Sequence, residues 1–279
     1  MLDAAPLVSI CIPVYNGEKY LEETLHYLLN QTYRNIEIIF SDNCSTDRTL
    51  DMIRAHNDPR VKIFQNEKNM GVKYNYMQAF SYATGKYITF VAADDGMDLS
   101  TIEKCVNVLE KNPEVTYVSG YISIINDEGK LVFTKKYIFG GGLFSSYWAI
   151  RSNFIYGSNT IGEGNGAVFR KDNFDKIPRP ILKSSNPWTY DIELQNELLL
   201  QGKLYIIPEA LGLFRVSRQG TSIKDLKFNQ AKLFRQFVFN VYKDKRYNLS
   251  FFWVITATIN SALLEVARNV FYILFLKKK

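Results

Sequence analysis

With 279 residues, 47% apolar and 22% charged, the chain can bury a substantial core in one large domain or two smaller ones, and its composition excludes wholesale disorder. Cys11, Cys44 and Cys105 are odd in number and widely spaced, which fits neither a disulfide framework nor a zinc site and points to reduced thiols. The formal net charge of +6 is localised: residues 223–279 hold eleven Lys or Arg against Asp225, Asp244 and Glu265, so this stretch carries +8 and the rest about −2. A basic excess confined to the tail favours docking on an anionic surface over a nucleic-acid groove across the body. Met1 to Pro6 carry only Asp3 and lead directly into a strand-like run, so no secretory leader and a cytoplasmic location are expected.

In chain order, the first half alternates strand-like and helical patterns. Leu7-Val-Ser-Ile-Cys-Ile-Pro13 reads as a first strand, followed by a helix over 20–30 with Leu21, Leu25 and Leu28 on one face. Residues 36–40 form a second strand, and a helix carrying Leu50 and Ile53 follows with Ser45 or Thr46 as its expected cap. A short third strand over 61–64 and a third helix over 71–83 precede Tyr87-Ile-Thr-Phe-Val-Ala-Ala-Asp94-Asp95, whose apolar run suits a strand buried on both faces. Strands joined by helices of about ten to fifteen residues imply βαβ crossovers and a mainly parallel sheet.

The alternation then breaks. After a helix over 100–111, the stretches 115–125 and 131–139 flank Asn126-Asp-Glu-Gly129 as a hairpin. The passage 140–166 is expected to consist of irregular loops that set specificity, and Gly162-Glu-Gly-Asn-Gly166 precedes a strand over 167–169. A helix over 189–201 is expected to stop at Gly202.

Polar clusters end four successive strands: Pro13-Val-Tyr-Asn16, Ser41-Asp-Asn-Cys-Ser-Thr-Asp47, Asn69-Met-Gly71 and Asp94-Asp95. In a parallel sheet these ends share one edge, where ligands bind. Paired carboxylates there suit a divalent cation and the charged substrate it carries; Asp42 suits a pyrimidine N–H, and Tyr15 offers a ring face. Taken alone, Asp94-Asp95 equally suits the cap of a helix starting near Leu99. Neither a Gly-x-Gly-x-x-Gly fingerprint nor a P-loop is present, which argues against a dinucleotide enzyme or an ATPase. Cys44 reads as a small filler rather than a nucleophile, and His26 and His56, on the first two helices, receive no role.

The ordered set Pro13-x-Tyr-Asn, Gln31-Thr-Tyr, Glu37-Ile-Ile, Asp42-Asn-x-Ser-Thr-Asp47, Asn69-x-Gly71, Gly85-x-Tyr-Ile and Asp94-Asp95 resembles the family 2 glycosyltransferases with the GT-A fold, closely over 8–98 and more loosely to 222. The resemblance implies an α/β, Rossmann-like mixed sheet flanked by helices, with a C-terminal helical extension. Residues 1–222 would form the GT-A domain, 1–99 its nucleotide-binding half and 100–222 its acceptor half. It further implies a nucleotide-sugar donor, most often a UDP-sugar, bordered by Pro13, Tyr15 and Glu18. Asp42 would lie on the uracil, Lys73 near the uridine, Asp94 near the ribose or diphosphate, and Asp95 on a divalent metal, Mn²⁺ or Mg²⁺. Many members carry a further Asp where this chain has Ala92. Trp188-Thr-Tyr-Asp-Ile-Glu-Leu194 resembles the family's Glu-Asp base motif with Tyr190 in place of the Glu, which makes Asp191 the base and Glu193 the fallback. As a first-turn carboxylate, Asp191 also suits the helix dipole. Phe214 to Ser222 resembles an Arg-x-His segment with Ser217 replacing the His, so Arg215 or Arg218 is expected either at phosphate or in a solvated basic loop.

The chemistry agrees with this resemblance. Departure of a diphosphate requires its charge to be offset, a cation does so without protonation, and one carboxylate base suffices where a glycosidase uses two. Direct displacement inverts the anomeric centre. In the tail, 226–242 and 249–276 read as helices, the second with a polar stripe of Asn260, Ser261, Glu265, Arg268 and Asn269 and a Lys277-Lys-Lys279 end. Glu265 and Arg268 make a solitary bilayer span costly. The basic amphipathic tail over 223–279 is therefore expected to lie on a membrane surface or to pair with a second copy. The expected activity is a metal-dependent, inverting sugar transfer to a glycan or lipid-linked acceptor at the inner face of the cell membrane, in cell-surface polysaccharide or glycoconjugate synthesis. A nucleotidyltransferase and a non-catalytic nucleotide-binding scaffold are the alternatives.

Overall fold

The computed structural model describes residues 5–137, 140–181, 189–217 and 230–276. Strands β1 (Val8–Val14), β2 (Ile36–Asp42), β3 (Val61–Gln65) and β4 (Tyr87–Phe90) are joined by helices α1 (Leu21–Leu29), α2 (Thr49–Ala55) and α3 (Val72–Ser81). These four strands are parallel in the order β3-β2-β1-β4. Beyond β4 the sheet is mixed. Strand β9 (Ala167–Arg170) lies antiparallel between β4 and β6 (Val115–Ile125), and β10 (Lys203–Arg215) runs parallel to β6. The short β5 (Gly96–Met97) and β8 (Gly142–Phe144) pair antiparallel with β10, and β7 (Leu131–Lys135) forms the expected hairpin with β6. Because β9 is antiparallel, its entry loop over 162–166 lies on the same edge as the ends of β4, β6 and β10.

Helices cover both faces of the sheet, as a parallel core requires. On one face Val8, Ile10 and Ile12 of β1 pack with Leu21, Leu25 and Leu28 of α1 and with Ile102, Cys105 and Leu109 of α4 (Thr101–Lys111). On the other, Cys11, Ile39 and Ile88 meet Ala79 and Phe80 of α3, Phe154 of α5 (Ser146–Tyr156) and Leu194 and Leu198 of α7 (Tyr190–Leu199). A short α6 (Lys171–Asp175) follows β9.

Several expectations are corrected. The passage 140–166 is not wholly irregular, since it contains β8 and the eleven-residue α5. Ala149, Ile150, Arg151, Ser152, Asn153 and Phe154 are all buried, so α5 is covered nearly all round and displays no amphipathic stripe. Helix α2 begins at Thr49, and Asp47, not Ser45 or Thr46, accepts its first N–H at 3.0 Å. Helix α7 ends at Leu199; Gly202 leads into β10, where a Cβ would press on Thr116.

The basic tail packs on the body. In α8 (Gln230–Lys243), Phe234, Phe237, Val238 and Val241 join the same core as Phe154. Helix α9 (Phe251–Leu276) lies on α8 and α5; Asn260 Nδ2 donates to the Ile155 carbonyl. Gly157, at φ +64°, closes α5 so near to Ser261 that a side chain there would collide with the α9 backbone. The outward face of α9 exposes Phe252, Ile255, Ile259, Leu263, Val266 and Val270 as one apolar stripe. Among the described residues no helix is long and apolar enough to cross a membrane. Arg218 and the segments 218–229 and 277–279 lie outside the described residues.

Candidate active site at the carboxyl edge of the sheet

The loops after β1, β2 and β3 are stitched together by side-chain amides and carboxylates. Asn16 donates its N–H to Ser45 Oγ (2.9 Å) and accepts Thr46 N–H (2.8 Å); Glu18 Oε2 accepts Arg48 N–H (2.8 Å), and Asp47 Oδ2 accepts Glu18 N–H (3.1 Å). Asn43 Oδ1 accepts Met70 N–H at 2.9 Å, while its Nδ2 donates to Asn69 Oδ1 at 2.8 Å. Beneath them Asn75, buried on α3, donates to the carbonyls of Ser41 (2.9 Å) and Val14 (3.3 Å) and accepts from Ser41 Oγ (2.8 Å). Asn16 and Cys44 take left-handed conformations at φ +51° and +65°.

The residues expected to border a nucleotide divide into two groups. Tyr15 is 49% exposed beside half-buried Pro13, and Lys73 stands in the first turn of α3 on the same edge. Asp42 is fully buried, and its carboxylate accepts Ser45 N–H at 3.0 Å. Asp42 and Glu18 brace the loops after β1 and β2. Cys44 Sγ makes a weak contact with the Glu67 carbonyl at 3.7 Å, and all three cysteines are free thiols.

Asp94 and Asp95 do not cap α4. That helix begins at Thr101, and Asp98 holds the preceding turn by accepting Ser100 N–H at 3.0 Å. Instead Asp95 is buried at the edge, and its Oδ1 accepts Arg215 N–H at 2.8 Å. The Arg215 guanidinium, 1% exposed, donates to the carbonyls of Asp94 (2.9 Å) and Asn126 (2.8 Å) and to Glu23 Oε2 (2.5 Å). This corrects the expectation of a phosphate contact at Arg215: its donors are turned inward and taken. Burial pushes both carboxyls above the ordinary range; the charge of Asp94 adds to the effect at Asp95, and Arg215 opposes it.

Across the edge, Asp191 stands in the first turn of α7, half-buried, on the side of the edge that holds Glu163 in the loop before β9. Burial, then the charge and hydrogen bond of Glu163, push Asp191 up to about 7 against the pull of its own N–H and of Lys135. Lys135 Nζ on β7 donates to Glu163 Oε1 and to the Asn159 carbonyl, both at 3.1 Å. Tyr76 of α3 joins the two carboxylate groups. Its ring packs edge-on against Phe90 (5.8 Å) and Tyr190 (6.4 Å), and after burial the charges of Asp191, Asp95 and Asp94 all raise its hydroxyl. Gly164 allows the loop to sit against β4, since any side chain there would overlap the Phe90 ring. Glu193 is turned away to accept Thr189 Oγ1 at 2.9 Å. The sequence reading missed Glu163, Tyr76 and Asn75; the only signal for Glu163 was its glycine-flanked setting.

Among the described residues no group of three or more His, Cys, Asp or Glu is arranged to hold a metal ion. The donor set at the β4 end is the buried carboxyl of Asp95, one oxygen of which is already engaged by Arg215 N–H, beside the half-buried Asp94. That set fits a hard divalent cation that takes its remaining oxygens from a diphosphate rather than an all-protein cage.

Residues 9–178 match the family model described as "Glycosyl transferase family 2", and the chain belongs to that family. It is 30% identical over 231 residues to an uncharacterized glycosyltransferase of Haemophilus influenzae, covering 79% of this chain and 69% of the relative. It is 32% identical over 133 residues to the UDP-Glc:alpha-D-GlcNAc-diphosphoundecaprenol beta-1,3-glucosyltransferase WfgD of Escherichia coli, covering 47% of this chain and about half (52%) of that relative. The solved mannosyltransferase PcManGT of Pyrobaculum calidifontis, in complex with GDP-Man and Mn²⁺, superposes with a TM-score of 0.61 at 16% identity, covering 97% of this chain and 81% of that one. The architecture is the GT-A fold, and the chain is a glycosyltransferase whose relatives include enzymes of polysaccharide biosynthesis.

Proposed function

We propose that this glycosyltransferase moves a sugar from a UDP-sugar to an acceptor hydroxyl with inversion, extending a lipid-linked or glycan acceptor in cell-surface polysaccharide synthesis. The observation that carries the reading is the placing of one carboxyl raised to about 7, Asp191, and the charge-dense Asp94-Asp95 turn around the same tyrosine, Tyr76. The donor's base would rest on Tyr15 and Pro13, with Asp42 and Glu18 fixing the loops that carry it and Lys73 near the uridine. Asp95 would hold Mn²⁺ or Mg²⁺, which when bound would offset the charge of the departing diphosphate, with Asp94 near the ribose or diphosphate. Asp191 takes the acceptor's hydroxyl proton as its oxygen attacks the anomeric carbon; the electron pair of the broken bond leaves with the diphosphate. A base in this range is matched to neutral pH, and a single base is what an inverting displacement needs. The UDP-glucose donor and diphosphoundecaprenol-linked acceptor in the name of WfgD support the substrate class, and the Mn²⁺ of PcManGT supports the metal.

Residues 1–99 would serve the donor, 100–222 the acceptor and 223–279 a surface. The apolar stripe of α9, in a tail carrying +8, suits the inner face of an anionic membrane, where a lipid-linked acceptor resides. Calorimetric titration of UDP and UDP-glucose with and without Mn²⁺ tests the donor half. Binding tightened at least about tenfold by Mn²⁺, with the tightening lost in Asp95→Asn, is expected. Absence of nucleotide binding in either condition contradicts it.

A further inference from the structure

The hairpin of β6 and β7 stands over the carboxyl edge of the sheet. Strand β10 pairs with β6 along its whole length, from Val115 to Ile125, so β9 and β7 share the other edge of β6. On that edge β9 reaches only as far as Ser119, and β7 takes over from Ile122 to Ile125. The last residues of β6 and all of β7 therefore rise past the end of β4, on the side where Asp94, Asp95 and Glu163 lie. The hairpin is tied there at both ends. The Arg215 guanidinium donates to the Asn126 carbonyl in its turn (2.8 Å), and Lys135 Nζ, at the far end of β7, donates to Glu163 Oε1 and the Asn159 carbonyl (both 3.1 Å).

Leu131, Val132 and Phe133 of β7 are consecutive, apolar and all exposed, Leu131 by 62%. Regular alternation would set neighbours on opposite faces, but the register breaks at this point: Ile125 faces Leu131 and Ile124 faces Phe133, leaving Val132 as the extra residue of a bulge. A contiguous apolar run on an exposed edge is a liability in water and marks a surface that something covers. Lys130 and Lys136 bracket the run, both exposed. The acids of the turn are drawn off it, Asp127 toward Lys19 Nζ (3.4 Å) and the Tyr20 hydroxyl, Glu128 toward Asn126 Nδ2 (2.5 Å). An apolar strip between cations fits an anionic lipid surface.

Its position argues for the same occupant. Asn159, held by Lys135, lies two residues beyond Gly157, against which Ser261 of α9 packs, and past Ser261 the helix exposes Leu263, Val266 and Val270. Hairpin and helix thus flank the loop that carries Glu163. A second copy seated on the strip would lie across the mouth that an acceptor must enter, whereas a bilayer bearing a lipid-linked acceptor comes to that mouth in every turnover.

We propose that the β6–β7 hairpin is a second lipid contact: Leu131, Val132 and Phe133 enter the headgroup region of an anionic membrane with Lys130 and Lys136 at its phosphates, and together with α9 they turn the carboxyl edge of the sheet toward the bilayer that carries the acceptor. The inference rests on the reading of the tail as a membrane contact and extends it from attachment to orientation.

The test is cosedimentation of the full chain with vesicles of phosphatidylglycerol and phosphatidylcholine in equal parts. Leu131→Gln with Val132→Thr, which keeps a β-branched residue in the strand, is expected to weaken binding at least about tenfold at an unchanged melting temperature. Hydrogen exchange of the unsubstituted protein supplies a second arm: vesicles should slow exchange at least about threefold in peptides covering 130–136. Vesicle binding unmoved by the substitutions overturns the hairpin contact and leaves the tail reading standing, and so does exchange at 130–136 that vesicles leave unchanged. If the native chain binds no vesicles, both readings fall. A dimer in sedimentation velocity that the hairpin substitutions dissociate assigns the strip to a second copy and likewise overturns the contact.

Discussion

Asp95 Oδ1 accepts the backbone N–H of Arg215 at 2.8 Å, and the Arg215 side chain returns to the Asp94 carbonyl at 2.9 Å. Asp95 and Arg215, 120 positions apart, thereby lock the turn after β4 to the end of β10, with α1 joined to it through Glu23. Arg215→Met should cost about 3 kcal/mol, because it strands a buried carbonyl and the partly exposed Glu23. Urea unfolding checks this. A loss under about 0.5 kcal/mol would show that the latch carries no weight.

Glu37 is buried on β2 and makes a similar junction at the opposite edge, accepting Lys62 Nζ (2.6 Å), Ser9 Oγ (2.5 Å) and Thr84 N–H (2.8 Å). Burial pushes its carboxyl up, but these donors outweigh it and hold the group at about 2, against 4.5 unperturbed. A depressed carboxyl stabilises the fold fully above the unfolded value and loses that contribution as pH falls from about 4.5 to about 2. Since Lys62 is half exposed and screened, Glu37→Gln is expected to destabilise by on the order of 2 kcal/mol at pH 7. In thermal melts the gap should close below pH 3. A gap constant with pH would contradict the assignment.

Cys44 holds a left-handed backbone at φ +65°, and its thiol is in no disulfide and makes only the weak contact with the Glu67 carbonyl. A side chain there costs about 1–2 kcal/mol relative to glycine in the same conformation, partly cancelled by glycine's greater unfolded entropy. Cys44→Gly should therefore raise stability by on the order of 0.5–1 kcal/mol, read as a higher melting temperature. A fall of the same size would mean that the Sγ contact outweighs the strain.

The nucleotide half was largely legible because β1 to β4 are continuous apolar runs whose polar ends fall at one edge by parallel geometry alone. What escaped was decided by tertiary contact. Arg215 looked like a ligand-binding arginine in a polar loop, and only the fold reveals that its donors point inward. Strand β10 was hidden by Pro208 and Glu209, where its register against β6 shifts between Ile207 and Ala210. Helix α5 was hidden because it is buried nearly all round. Glu163 and Asp191 are 28 positions apart, and nothing in the spacing of a Gly-Glu-Gly loop and a helix start says that they share one side of the edge.

If α9 presents its stripe to lipid, Ile259→Glu with Leu263→Glu should abolish cosedimentation with phosphatidylglycerol vesicles, lowering binding at least about tenfold without changing the melting temperature. Both side chains are exposed, 55% and 64%, so folding is not at stake. Sedimentation velocity on the same proteins discriminates the other occupant: a dimer that dissociates on substitution, with no vesicle binding by the native chain, assigns the stripe to a second copy.

The central claim is that Asp191 serves as the base of sugar transfer. Its most direct measurement is the turnover of Asp191→Asn beside its affinity for the same UDP-sugar with Mn²⁺. Turnover reduced by at least about a hundredfold with affinity unchanged is expected, since the amide is isosteric and removes only the proton-accepting oxygen. Undiminished turnover would contradict the account.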